Sequence, residues 1–159
     1  MGYTHYYYYT PKVGDELKMK DVKREILKMK KNLPEFSETA GGNYREHPIK
    51  IKNWDGKVLP EITDTIISFN GDGSKGLDHE GFVFEPNFNS TEKTFSFCKT
   101  ARKPYDFFVC VCLLSLSNHL EGIEVSSDGD IEDWQPAIDF YEKEFGQMRK
   151  ELFGETIKL

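Results

Sequence analysis

The chain has 159 residues, a hydrophobic fraction of 38%, an aromatic fraction of 14% and a formal net charge of −6. That length suits one domain spanning residues 1–159 around one core. The acidic balance disfavours non-specific binding to nucleic acid and to anionic membrane surfaces, both of which need Lys and Arg to meet phosphate, and no apolar run approaches the length of a membrane span.

Residues 2–10 read as a tyrosine-rich strand closed by Pro11. Alternation puts Tyr3, His5, Tyr7 and Tyr9 on one face and Thr4, Tyr6 and Tyr8 on the other. Over residues 15–33, Val22, Ile26, Met29 and Leu33 recur at helical spacing among charges, which predicts an amphipathic surface helix ended by Pro34. Residues 35–48, with Gly41-Gly42, read as a loop. Strands are expected over 49–54 and 62–69, separated by the Asp55-Gly56 turn and Pro60. Asn70 to Ser74 is a turn, and short strands follow at 81–85 and 94–97.

Residues 105–116 are apolar almost all the way round, so a largely buried helix is expected at about 104–118, with Pro104 at its first position. A strand at 123–127, a tight Asp128-Gly129 turn and a last helix over 131–153 complete the chain, with Gly146 breaking or bending that helix. The order predicts an α+β fold with a mixed, largely antiparallel sheet and about three helices. The regular alternation and glycine fingerprint of a doubly wound sheet are absent.

The three cysteines, Cys98, Cys110 and Cys112, make neither a disulfide framework nor a zinc spacing. No signal-peptide pattern opens the chain, so a reducing cytoplasm is the expected compartment.

The run from Phe97 to Asp106 carries the strongest chemical signal, because it leads into the buried helix. The first N–H groups of a helix lack internal partners and carry the positive end of its dipole. Lys99, Thr100 and Arg102 would complete a cradle there for phosphate or carboxylate. The alternative is that Lys99 and Arg102 pair with the chain's own acids and anchor the helix. No Walker A glycines are present.

His5 would offer a ligand hydrogen bond, Tyr3, Tyr6, Tyr8 and Trp134 a stacking surface for a base, and Asp128 a polar contact. Asp130 is expected to cap the last helix. Asp72, His79, Glu80 and Asp128 are the residues that would hold a hard metal, with His5 or His79 moving protons. Cys98, beside Lys99, would be a thiolate only if the helix start lowered its pKa.

Gly2-Tyr3-Thr4-His5-Tyr6, the block Ile67 to Gly73, the run Phe97-Cys98-Lys99-Thr100-Ala101-Arg102-Lys103-Pro104-Tyr105-Asp106 and the block Val125 to Gly129 together resemble a family of small bacterial and phage proteins without an assigned function. A Trp usually stands there where this chain has Tyr7. The resemblance implies a complete member of that family, with His5, Lys99, Thr100, Arg102 and Asp128 in its motif blocks, and supplies no reaction or substrate. The phage connection suggests, by analogy only, a role in host–phage conflict such as capture of a nucleotide signal.

Three functions follow as expectations. The first is binding of a small anionic, phosphorylated ligand, most simply a nucleotide, without a cofactor. The second is a metal-dependent phosphoesterase acting on nucleotides, with magnesium or another divalent metal. The third is a protein-interaction module, such as an inhibitor of a host enzyme, whose tyrosine-rich strand serves as an edge, including for a homodimer.

Overall fold

The computed structural model describes residues 2–148. The expected helix beyond residue 148, in the stretch 149–153, lies outside the described residues. Among the described residues the fold is α+β, with three α-helices and two separate three-stranded antiparallel sheets. The expectation of one sheet gives way to two small ones.

Strand β1 (Thr4–Tyr9) is the centre of the first sheet, between β5 (Thr94–Lys99) and β6 (Ile123–Ser127). Its period-two pattern divides as the sequence predicts. His5, Tyr7 and Tyr9 are buried, whereas Tyr8 is exposed, as are Phe95 opposite it and Phe97 opposite Tyr6. The buried hydroxyls find acceptors: Tyr7 donates to the Val83 carbonyl at 2.6 Å and Tyr9 to Asp15 at 2.7 Å.

The second sheet runs β2 (Glu61–Ile62), β3 (Ile67–Phe69) and β4 (Phe82–Phe84). The single strand expected over 62–69 is broken because the Thr63 hydroxyl accepts the Thr65 and Ile66 N–H groups and closes a tight turn. The strand expected over 49–54 survives only as the bridge between Lys52 and Asn70, since the chain turns away on both sides of it.

Helix α1 (Asp15–Lys31) buries Met19, Val22, Ile26 and Met29, one stripe of an otherwise charged surface. Helix α2 (Asp106–His119) is the hub: residues 106–117 are all buried. It begins after Pro104, which sits in the preceding turn and not at the first helical position, with Tyr105 at the cap. Phe108 of α2 meets Phe69 of the second sheet at 4.7 Å between ring centres. Helix α3 (Ile131–Phe145) starts in a capping box, Asp130 accepting from the Asp133 N–H and Asp133 from the Asp130 N–H, and stops at Gly146, whose φ is 87°. Among the described residues no helix is long and apolar enough to cross a membrane.

Where the three helices meet, Glu25 of α1 is 5% exposed and accepts hydrogen bonds from Ser115 of α2 (2.9 Å) and Tyr141 of α3 (2.6 Å). His119 Nε2 lies 3.0 Å from its second oxygen. Burial pushes this carboxyl upward, but His119, Tyr141 and Ser115 outweigh it and hold the pKa below the ordinary value. A folded-state value below the unfolded one gives stability that is present above the ordinary carboxylate pKa of about 4.3. That stability fades as pH falls through the folded value. Glu25→Gln should therefore lose about 1–3 kcal/mol at neutral pH, and its deficit against the parent should shrink on acidification below the ordinary carboxylate pKa. Urea denaturation across that pH range checks this, and a deficit that stays constant would contradict it.

Candidate functional site

The inner face of β1 and the start of α2 build a sealed polar network. His5 lies opposite Cys98 on one side and Ser127 on the other. Its Nε2 donates to Asp106 Oδ1 at 2.6 Å, and its Nδ1 is 2.8 Å from Ser127 Oγ. The Thr100 hydroxyl donates to the same Asp106 oxygen at 2.6 Å. Cys110, one helical turn after Asp106, brings its sulfur within 3.6 Å of His5 Nε2 and 3.7 Å of Asp106 Oδ2. His5, Thr100 and Asp106 are completely buried and Cys110 nearly so. Tyr3 and Trp134 wall the imidazole edge-on, each at 5.0 Å between ring centres.

The turn leading into α2 is bent to make this possible. Ala101 and Arg102 both occupy the left-handed region, at φ 54° and 57°. That conformation costs a non-glycine residue roughly 1–2 kcal/mol, and here it swings the chain so that Thr100 faces Asp106. The Arg102 carbonyl accepts the Gly41 N–H at 2.8 Å, and a side chain on Gly41 would press on Arg102, so the loop before residue 42 braces the turn.

Burial pushes the Asp106 carboxyl up, but the His5 ring, with hydrogen bonds from His5, Thr100 and Thr39, brings it below the ordinary value. Burial also raises the Cys110 and Cys98 thiols. Cys98 donates to the Glu80 carbonyl at 3.4 Å and is wholly buried, so the condition for a thiolate there, a pKa lowered by the helix start, is not met.

The negative guest expected at the helix start is thus supplied by the chain itself, as Asp106. Thr100 and His5 are spent on it. Arg102 lies over the Tyr3 ring at 3.9 Å and 3.8 Å from Asp133, half in solvent. Lys103 donates to the Gly76 and Asp78 carbonyls at 3.0 and 2.7 Å. Asp128 accepts from the Thr4 N–H and the Tyr6 hydroxyl, tying β1 to the end of β6. The structure therefore brings together Tyr3, His5, Thr100, Arg102 and Trp134, while Lys99 and Tyr6 belong to the opposite face of the sheet, beside Thr4 and Phe97.

The hard-metal set is not gathered. Asp72 caps a short turn through Ser74, which holds its carboxyl below the ordinary value against a small desolvation effect. The His79 backbone is tied to Asn70 and the Glu80 carbonyl accepts from Tyr105, with Asp128 at the end of another strand. Among the described residues the side chains whose ligand atoms converge are instead His5, Asp106 and Cys110. Sequence reading passed over Asp106 and Cys110, although their four-residue spacing on a helix was the available signal.

The outer side of the sheet carries a different feature. Tyr6 stacks on Phe95 with ring centres 6.3 Å apart and planes 14° from parallel, and Phe95 leads on to Phe97 at 6.0 Å. Beside β5 a groove of about 370 Å³ lies between these phenyl rings and Trp54, floored by Ser96, Gly81 and Val83. Trp54, Phe95 and Phe97 are 56%, 50% and 53% exposed, and the three rings line one groove instead of lying scattered over the surface. Gly81 is required there, because a Cβ would collide with the Trp54 indole. At one end of β5, Lys93 bridges over Tyr8 to Glu124 at 2.7 Å; at the other, Lys99 has no carboxylate within ion-pair distance among the described residues.

Comparison with protein-family models, with curated proteins and with solved structures gives no match.

Asp106→Ala should cost about 3–5 kcal/mol, as removal of one member of a buried pair does, whereas Arg102→Ala should cost under about 1 kcal/mol, as for a half-exposed pair. Chemical denaturation of the two variants measures the contrast, and equal small effects would show that the carboxylate is not structural.

Proposed function

We propose that this chain binds a small phosphorylated ligand with a planar ring, most simply a nucleotide, and does not turn it over. The observation that carries the proposal is the groove flanked by half-exposed Trp54, Phe95 and Phe97. Its volume falls within the ordinary range for small-molecule sites. A base between Trp54 and Phe97 would cover apolar surface on both rings, and stacking of this kind contributes about 1–3 kcal/mol per base.

Charge sets the polarity of the ligand. Lys99, without an ion-pair partner among the described residues, stands where β5 leaves the groove, and Glu85 lines the groove. An anionic group would thus lie toward Lys99 and away from Glu85. Glu85 and the Tyr7 hydroxyl, already committed to the Val83 carbonyl, are the ionisable groups of the lining, which offers no nucleophile paired with a base. The titratable network around His5 is sealed from this surface. A nucleotide held intact would be sequestered, the role that the resemblance to phage proteins suggests by analogy.

One second reading has an observation behind it. β5 is an edge strand and carries the exposed Phe95 and Phe97, a surface that also suits a second copy of the chain.

Intrinsic fluorescence distinguishes these readings, because of the two Trp residues Trp54 is exposed and Trp134 buried. Titration with a panel of nucleotides should quench Trp54 emission saturably, and Trp54→Phe should abolish the signal. Phe97→Ala should weaken binding roughly 5- to 100-fold, and Lys99→Ala should weaken it while flattening its salt dependence. Absence of quenching by every nucleotide at millimolar concentration would overturn the proposal; a dimer by sedimentation that Phe95→Asp dissociates would then select the second reading.

A further inference from the structure

The buried cluster of His5, Asp106 and Cys110 contributes nothing to the groove, yet its chemistry exceeds what helix anchoring needs. A structural carboxylate at a helix start is satisfied by hydroxyl and amide donors. Here a thiol and an imidazole converge on it as well, from two different elements.

We propose that His5 Nε2, Asp106 Oδ2 and Cys110 Sγ form a binding site for one borderline-soft divalent cation of the zinc type. Three independent features support this. The first is spacing. The sulfur is 3.6 Å from the imidazole nitrogen and 3.7 Å from the carboxylate oxygen. With bonds of about 2.0 Å to nitrogen or oxygen and 2.3 Å to sulfur, such separations subtend roughly 115° at an ion, close to tetrahedral.

The second feature is charge. A fully buried divalent ion needs two negative charges beside it. The Asp106 carboxylate and a Cys110 thiolate supply them, and neutral His5 completes the set without excess. The thiolate also selects against hard magnesium, which takes oxygen ligands.

The third is the outer support. The other Asp106 oxygen stays on the Thr100 hydroxyl, and His5 Nδ1 faces Ser127 Oγ, which is itself fixed by the Gly129 N–H at 3.0 Å. Partners of this kind orient a ligating carboxylate and imidazole. Gly129 is held close by Tyr3, whose hydroxyl a Cβ there would strike. On binding, the cation takes the place of the hydrogen on Nε2, and His5 gives up its hydrogen bond to Asp106 Oδ1. The imidazole proton then resides on Nδ1, donated to Ser127 Oγ, and the Cys110 proton leaves to solvent, with no change of oxidation state.

The site is sealed in the fold, so the ion must enter as the chain folds. The experiment is refolding of the full chain from denaturant with excess Co²⁺ or Zn²⁺, followed by gel filtration, metal analysis and absorption spectroscopy. The expected result is about one ion per chain. The cobalt form should show a thiolate-to-metal charge-transfer band that disappears in Cys110→Ser and persists in Cys98→Ser and Cys112→Ser. If the folded parent chain retains less than about a tenth of an equivalent and shows no such band, the proposal is overturned. Survival of the band in folded Cys110→Ser would overturn it equally. Both decisive readings on the parent chain hold even where a variant does not fold, and neither depends on nucleotide binding at the groove.

Discussion

One buried negative charge, the Asp106 carboxylate, organises the part of this molecule that its most distinctive sequence block encodes. Taking a carboxylate wholly out of water is expensive unless donors replace the solvent. Three elements are arranged to provide them: β1 brings His5, the end of β5 brings Thr100, and α2 brings the acid itself with Cys110 a turn behind. The left-handed pair Ala101 and Arg102 is the strain accepted to close that arrangement. The start of α2 is thereby fixed against the central strand, and everything packed on α2 inherits the position.

The same strand divides structure from surface. With a period of two, the residues of β1 alternate between a face turned to α2 and a face turned to water. His5, Tyr7 and Tyr9 meet the core and spend their polar atoms on Asp106, the Val83 carbonyl and Asp15. Tyr6 and Tyr8 face outward to join Phe95 and Phe97. Adjacent residues in one short motif therefore serve different ends. Thr100 is buried on the internal acid, while its neighbour Lys99 remains on the outer side near the aromatic groove.

That division explains what was legible in the sequence. The strand at 123–127, the tyrosine alternation, the buried helix and the Asp130 cap follow from local pattern and turn chemistry, and the structure has them. The break in the strand over 62–69 depends on one threonine hydroxyl choosing a turn over a ladder, which periodicity does not encode. The pairing of His5 with Asp106 spans 101 residues of separation and Trp54 reaches β5 from another segment, so neither is visible to a local reading. Phe95 and Phe97 were recognisable as alternating strand residues, but only the register opposite Tyr8 and Tyr6 shows that four rings share one side.

A cluster of cations in sequence is a poor measure of free positive charge in space. Lys99, Arg102 and Lys103 lie within five residues, yet each has a different environment. Arg102 is covered by an aromatic ring and faces Asp133, Lys103 is held by two carbonyls, and Lys99 has neither a carboxylate nor a carbonyl on its ammonium among the described residues. A helix dipole is equally indifferent to whether its anion comes from solvent or from the chain, and the nearest carboxylate wins because its entropy of association is already spent in folding. Under the proposed function, an external anion would be met where the fold leaves a cation unmatched beside apolar surface. In this molecule those two conditions coincide at the Lys99 end of β5, next to rings that the core has not claimed.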